Sequence, residues 1–413
     1  MSFWKNKKAL ITGISGFAGS YLAKELVKEG AEVHGLLRFR ADRVYPKNLA
    51  DKSLMEAVRL IEGDITDLYS LLSVMDRTKP EVVFHLAAQS FVHRSFIYCS
   101  ETVSINSLGT ANVLESVRMK APEARVVFAG SSEEYGMVFY SEEQHKKVTA
   151  TRSYFPDPTS IPEVPIKETN PLRPLSPYAV SKVHGDFLCR QYHITNGMNT
   201  IVSRAFNHEG AGRGGHFVTS VVASAIARLL REETNTIRIG NVSAFRDWSH
   251  VSDIVRGYML LAEKGVPGQV YNQGSGRTNS VLSLILLGLN EAGYKVKRIR
   301  TMNSAKSLED PGEMKTISAF GIEFPGTRAD EAMLFGGLDF FPEDQGIIVE
   351  TEKGEVSVHF DPGRMRPSDV PILLCDASKA KALGFRATRS LSEIIKDQIN
   401  YFLAPENIEA FLR

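Results

Sequence analysis

Three glycines at three-residue intervals, Gly13, Gly16 and Gly19, stand between an apolar run, Lys8–Thr12, and an amphipathic stretch, Phe17–Glu29. This spacing lets the backbone turn tightly and come close to a diphosphate. The negative charge then rests on the N-terminus of the helix that follows. A glycine triplet alone is a common turn. With a strand before it and a helix after it, the triplet predicts a dinucleotide site that opens a parallel sheet.

The chain continues in the same rhythm. Glu32–Leu37, Val58–Ile61, Glu81–Leu86, Arg125–Ala129 and Thr200–Arg204 are short apolar runs, mostly separated by helix-sized segments. Such alternation implies βαβ units, an α/β class and a doubly wound Rossmann-type sheet covered on both faces. A chain of 413 residues can bury a large core and divides into two parts. Residues 1–206 are expected to form the dinucleotide-binding domain, with 237–262 returning to it and a proline-rich loop or lid inserted at about 137–165. Residues 207–413 are expected to form mainly a smaller α/β substrate lobe, with an insertion at about 295–364. Within that insertion Gly346–Phe360 alternates like a hairpin, and Asp376–Leu403 has helical periodicity.

Composition excludes several classes. With 43% hydrophobic and 23% charged residues the chain is neither disordered nor fibrous. Its 49 basic and 48 acidic side chains leave a net charge of +1, which argues against coating nucleic acid or an anionic membrane. The three cysteines are too scattered for a disulfide framework or a metal motif, so no metal is expected. The start has no signal-peptide core, and the longest apolar stretch, around Val281–Leu289, is about half a membrane span. A cytoplasmic protein is expected.

The end of the second strand bears on the choice of dinucleotide. An acid there would hold the ribose 2′-hydroxyl of NAD, whereas arginine suits the 2′-phosphate of NADP. The sequence reads VHGLLRFRADR, with Arg38, Arg40 and Arg43 and no acid at the strand end. NADP is expected, with NAD possible. Asp64, in EGDITD, is placed to meet the adenine edge and equally suits a turn.

LSPYAVSKVHGDFL puts Tyr178 and Lys182 one helical turn apart. Ser176 can cap this helix and Pro177 fits its first turn. A lysine beside a phenol stabilises the phenolate, which makes Tyr178 a base, and Lys182 can also hold a ribose. The pair is frequent by chance, but paired with the glycine loop it is specific.

Together, Gly13/Gly16/Gly19, HLAAQS (His85–Ser90), Asn106 and Tyr178/Lys182 resemble the extended short-chain dehydrogenase/reductase family, which includes the NAD-dependent epimerases and dehydratases. SSEEYG (Ser131–Gly136), RAFNHEGAGRGGHFVT (Arg204–Thr219), GNVSAFRDWSHVSD (Gly240–Asp253) and RPSDVPILLCDASKAKALGF (Arg366–Phe385) resemble its GDP-mannose 4,6-dehydratase branch, from about residue 6 to 403. The resemblance implies a cofactor site that also includes Ile65, Ala87, Ala88 and Arg204. It implies a nucleotide-diphosphate-sugar substrate met by Asn207, Arg246 and Arg366, and catalysis by Ser131, Ser132, Glu133, Tyr178 and Lys182. Tyr178 would take the hydroxyl proton at sugar carbon 4 and Glu133 the proton at carbon 5, with water lost from carbon 6. An epimerase or 4-keto reductase on the same fold would leave Glu133 idle. The resemblance also implies a homodimer, through helices near Glu101–Met119 and Tyr178–Thr195, or a homotetramer. Departures gather round the substrate: Phe217–Val221 reads FVTSV where the family has F-V-T-R-K, and Phe17-Ala18-Gly19 replaces Q-D-G. Base and sugar are therefore left open.

Overall fold

A computed structural model describes residues 2–39, 41, 47–49, 51–366, 368–404 and 407. Its centre is a seven-stranded sheet. Six strands come from the first half: β1 Lys8–Thr12, β2 Glu32–Leu37, β3 Val58–Glu62, β4 Val82–His85, β5 Arg125–Ala129 and β6 Thr200–Ala205. A seventh, Val270–Gln273, lies at the edge, giving the spatial order Val270–Gln273, β6, β5, β4, β1, β2, β3. Every pairing is parallel. Parallel strands need long crossovers, and the helices that supply them bury both faces, so β4 and β6 have no exposed residue. After β3 the chain crosses to β4 on the far side of β1. That reversal opens a crevice at the C-terminal ends of β1 and β4, where open α/β sheets bind their ligands.

The segment returning to this sheet differs from expectation. Thr236–Ile239 belongs to a second sheet, where it runs parallel to Gly354–Phe360. The helix Val251–Lys264 packs on the helix α1 (Phe17–Lys28) and on β5 and β6, and Val270–Gln273 completes the main sheet. The return is thus 251–273 rather than 237–262. VYNQ carries too little apolar character to read as a buried strand. Its burial is supported because Asn272 is satisfied by the Tyr135 hydroxyl (2.6 Å) and the Ile166 carbonyl (2.9 Å), and Gln273 Oε1 accepts from the Ser203 hydroxyl (3.1 Å).

The second sheet has the order Ser307–Glu309, Val296–Thr301, Gly346–Thr351, Gly354–Phe360, Thr236–Ile239. The hairpin at 346–360 is its centre, and the insertion also carries a separate hairpin, Met314–Ala319 with Ile322–Thr327. Helices Val218–Leu230, Val281–Glu291 and Leu391–Leu403 build a second core against this sheet. The 281–289 run is apolar because all of it is buried. Over 376–403 there are two helices, separated where Gly384 turns left-handed (φ +114°) and Ser390 starts a capping box. The 137–165 insertion contains a polar helix, Glu142–Thr149, with no buried residue and so no apolar period to betray it. Among the described residues no helix is long and apolar enough to cross a membrane.

Candidate active site

The glycine loop is shaped by contacts that no side chain could survive. Gly13 sits at φ +77°, and a Cβ on it would lie 2.8 Å from the Ala87 backbone. A Cβ on Gly19 would lie 2.2 Å from the Gly13 carbonyl oxygen. Gly16 begins α1 without any side-chain cap, so the first-turn N–H groups of α1 stay available to a ligand.

Above this loop lies a cavity of about 670 Å³. Gly13, Gly16, Phe17 and Gly19 line it from the loop, and Arg38 from the end of β2. Asp64 and Ile65 enter after β3, Ala87 and Ala88 after β4, and Tyr178 and Lys182 from the helix Pro177–Asn196. Its size, its uncapped helix terminus and the arginine, rather than a carboxylate, that follows β2 among the described residues suit a phosphorylated dinucleotide. Asp64 lines the cavity while its Oδ1 also accepts from the Thr66 amide (2.9 Å) and hydroxyl (2.8 Å). A second hollow, about 610 Å³, adjoins Arg38 and Asp64. Arg40 and Arg43 lie outside the described residues.

Arg204 is a correction. It does not line the cavity but lies buried beneath it, its Nε 2.9 Å from Asp186 and 3.3 Å from Glu134, with Nη1 donating to the Tyr135 hydroxyl at 3.1 Å. The residues along β6 alternate between its two faces, and Arg204 serves this buried carboxylate pair instead. Conversely, Arg213, His208 and Phe217 line the cavity without having been singled out. Arg213 lies 3.5 Å over the Phe217 ring and 5.2 Å from Phe17, and Phe17 stacks on His208. The signal available was GAGRGGHF, one arginine among four glycines, of which Gly210 (φ +153°) and Gly212 (φ +83°) have left-handed φ.

The helix Pro177–Asn196 starts as its sequence predicts, with Ser176 Oγ accepting from the Ala179 amide at 3.1 Å. Asn106, in a π-helical turn over Ser104–Leu108, ties this helix to the strand ends. It donates to Ser181 Oγ (2.9 Å) and accepts from the Gln89 amide (2.8 Å). Lys182 Nζ donates to the Ala129 carbonyl at 2.6 Å. Burial lowers this amine to about 8, with Glu134 opposing. The Tyr178 phenol is pushed up to about 12, chiefly by burial; a hydrogen bond with Ser131 pulls down while Glu133 and Glu134 push up. The expected lowering is therefore absent in the free protein. Desolvation wins, and Lys182 is engaged with a carbonyl rather than with the phenol.

Beyond β5, Ser131 caps a tight turn, Ser132–Glu134. Its Oγ accepts from the Glu133 amide at 3.2 Å, and Glu134 Oε1 accepts from the Ser131 amide at 2.7 Å. The turn thus sends its two carboxylates apart. Glu134 goes fully inside, where burial and Asp186 raise it to about 8. Glu133 stays near Tyr178 and accepts from Arg366 Nη1 at 3.3 Å. Ser132 is buried beside it. Arg366 lies 3.6 Å from Asp369, which lies 2.7 Å from Arg246. Arg246 also donates to the carbonyls of Phe245 (2.9 Å) and Val370 (2.7 Å). Among the described residues Asn207 Oδ1 is buried with no hydrogen-bond partner, which marks it as an acceptor awaiting a donor. Among the described residues no group of three or more His, Cys, Asp or Glu side chains could hold a metal.

A model of the NAD-dependent epimerase/dehydratase family matches residues 9–274, from β1 through the edge strand of the main sheet. The chain belongs to that family. Within it, a GDP-mannose 4,6-dehydratase of Yersinia enterocolitica is 30% identical over 400 residues, covering 95% of this chain and 93% of the relative. One from Vibrio cholerae is 30% identical over 403 residues, with the same coverage. Among solved structures, RMD from Pseudomonas aeruginosa complexed with NADPH has a TM-score of 0.64 at 21% identity, covering 97% of this chain and 99% of that one. UDP-glucose 4-epimerase of Thermotoga maritima with UDP-glucose has a TM-score of 0.65 at 23% identity, covering 95% and 98%. These two share the fold.

Proposed function

We propose that this family member is a nucleotide-sugar 4,6-dehydratase, with NADP as its resident cofactor (NAD being the alternative) and GDP-mannose as its substrate. The observation that carries this reading is Glu133, a carboxylate held at the end of β5 beside Tyr178. Moving a hydride at carbon 4 needs no second base, whereas removing the proton of carbon 5 does. The choice of GDP-mannose follows from the relatives that span nearly the whole chain.

When bound, the nicotinamide supplies a hydride acceptor at sugar carbon 4 and returns that hydride to carbon 6. The chain's own residues do the rest. Gly13, Gly16 and the first turn of α1 receive the pyrophosphate, Arg38 the 2′-phosphate, and Lys182 the ribose. Tyr178 takes the carbon-4 hydroxyl proton, with Ser131 and the Lys182 ammonium the groups of this chain able to stabilise its phenolate. Glu133 takes the carbon-5 proton, which the adjacent ketone has acidified. The proton it gains is the one that the departing carbon-6 hydroxyl needs to leave as water, and Ser132, an alcohol, can only relay it. The proton that Tyr178 took from the carbon-4 hydroxyl balances the one that carbon 5 needs once carbon 6 has its hydride. Arg246, Arg366 and Asn207 hold the nucleotide end.

Purified protein given GDP-mannose should release water, read by product mass, without consuming added NADPH; UDP and CDP sugars run in parallel define the base. Consumption of NADPH in step with product, or an isomer of unchanged mass, would overturn the dehydratase reading in favour of a reductase or an epimerase. Glu133→Gln should keep hydride transfer and lose water release by about 100-fold or more.

A second copy of the chain is the proposed partner. Val180, Phe187 and Ile194, seven residues apart, form an exposed apolar stripe along the helix Pro177–Asn196, and Ile97, Val103 and Leu108 are exposed on the helical segments beside it. Phe187→Asp should reduce the mass seen by light scattering; an unchanged mass refutes this face.

A further inference from the structure

Four tyrosines are buried among the described residues: Tyr135, Tyr178, Tyr258 and Tyr271. A phenol taken out of water normally keeps a hydrogen-bond partner, because a hydroxyl is costly to bury alone. Three of the four obey this rule. The Tyr135 hydroxyl donates to Asn272 at 2.6 Å, the Tyr271 hydroxyl accepts from the Val266 amide at 3.0 Å, and Tyr178 is hydrogen-bonded to Ser131. Tyr258 is only 2% exposed, and among the described residues its hydroxyl has no partner. Val251, Ile254, Val255 and Met259, from the same helix, share one apolar cluster with it. Phenylalanine at 258 would fill that place without a hydroxyl to satisfy.

The hydroxyl has one place to find a partner. Tyr258 lines the cavity above the glycine loop, together with Gly13, Ala129, Tyr178 and Lys182. Its helix packs on α1, β5 and β6, and Tyr178 and Arg213 are near enough to act on its hydroxyl by charge. That is the end of the cavity at β5; Arg38 and Asp64 enter on the far side of β4 and β1. None of Ser132, Glu133, Asn207, Arg246 and Arg366, the residues proposed for the sugar and its diphosphate, lines this cavity.

We propose that Tyr258 is a further cofactor-binding residue, its hydroxyl donating a hydrogen bond to the carboxamide of the nicotinamide. This rests on the cofactor reading above. With the ribose held at Lys182, the next group along the dinucleotide is the nicotinamide, whose carboxamide carries its only hydrogen-bonding atoms. The Tyr258 phenol keeps its proton to donate, because burial pushes it well above its ordinary value. A single bond joins the ring to the ribose, so an untethered ring can turn either face to the sugar. A hydrogen bond at the carboxamide selects one face, and so orients the ring for hydride transfer at carbon 4.

The test compares wild type and Tyr258→Phe in calorimetric titrations with NADP and with 2′-phospho-ADP-ribose, which is NADP without its nicotinamide. NAD and ADP-ribose take their places if NAD is the tighter ligand. The substitution should weaken the dinucleotide by about 2- to 10-fold, the worth of one hydrogen bond, and leave the ribose compound unchanged. Without cofactor, Tyr258→Phe should melt no lower than wild type, because the hydroxyl it loses has no partner within the described residues. Equal dinucleotide affinities, an equal loss for both ligands, or a lower melting temperature of the cofactor-free variant overturns the assignment. If the wild type binds neither NADP nor NAD, the cofactor reading falls and this one with it. If the wild type binds its dinucleotide and the variant binds it equally well, only the role of Tyr258 has failed.

Discussion

Gly19→Ala is the sharpest test of how the glycine loop works. The added Cβ would lie 2.2 Å from the Gly13 carbonyl oxygen, 2.8 Å from Ile14 Cα and 2.9 Å from the Gly13 carbonyl carbon. All three are backbone atoms, so no side chain can rotate away, and ordinary contact requires α1 and the loop to part by about 1 Å. Overpacking of this kind costs about 1–3 kcal/mol. With an unfolding entropy of about 2.1 cal/mol/K per residue over 413 residues, that lowers the melting temperature by about 1–3 °C. The same shift moves the first-turn N–H groups of α1 out of hydrogen-bonding range of a phosphate. A hydrogen bond to a charged group is worth about 1.5–3 kcal/mol, so NADP should bind about 10- to 100-fold more weakly. Gly16→Ala separates the two effects. Its Cβ would meet only the Gly13 carbonyl oxygen, at 3.1 Å, so it should melt within about 1 °C of wild type while still obstructing the phosphate approach. Cofactor titration by fluorescence and thermal unfolding of both variants read this out. A Gly19→Ala protein that melts and binds like wild type, or a Gly16→Ala protein that is the less stable of the two, would refute the packing argument.

Arg38→Glu should lower the preference for NADP over NAD by at least about tenfold in competitive titrations, since it replaces a phosphate partner by a repulsive charge; an unchanged ratio removes Arg38 from the site. Arg173 and Glu163, both nearly fully buried, pair at 2.8 and 2.9 Å and hold the 137–165 insertion. Arg173→Met leaves a buried unpaired carboxylate and should cost about 3–5 kcal/mol in urea unfolding, most of it recovered by adding Glu163→Leu; a loss below about 1 kcal/mol contradicts this. Glu134 binds its proton more tightly folded than unfolded, because burial first and Asp186 second raise it to about 8. Stability should therefore be full below the ordinary carboxylate range and fall as pH rises towards 8, by at most about 1.4 kcal/mol per unit. Glu134→Gln keeps an acceptor for the Ser131 amide and should flatten that fall; parallel pH slopes for the two proteins show that Arg204 keeps Glu134 ionised throughout.

What was legible in the sequence was local. The glycine loop, the six strands of the first half and the capped helix bearing Tyr178 and Lys182 are written in periods of two to four residues and in caps and turns that act over one helical turn. Those interactions form in much the same way wherever the segment sits. The tertiary structure decided everything that depends on pairing at a distance. It sent Arg204 to Asp186 and Glu134 rather than to the cavity, and it buried VYNQ as a core strand by supplying Tyr135 and Ser203 as partners. Two adjacent glutamates, identical in sequence terms, received opposite environments because Glu134 closes a capping box under Ser131 while Glu133 meets an arginine 233 positions away. Desolvation, too, is a property of the whole fold. No spacing of tyrosine and lysine could reveal that burial holds the Tyr178 phenol up at about 12 in the free protein, or that Lys182 donates a hydrogen bond to the Ala129 carbonyl.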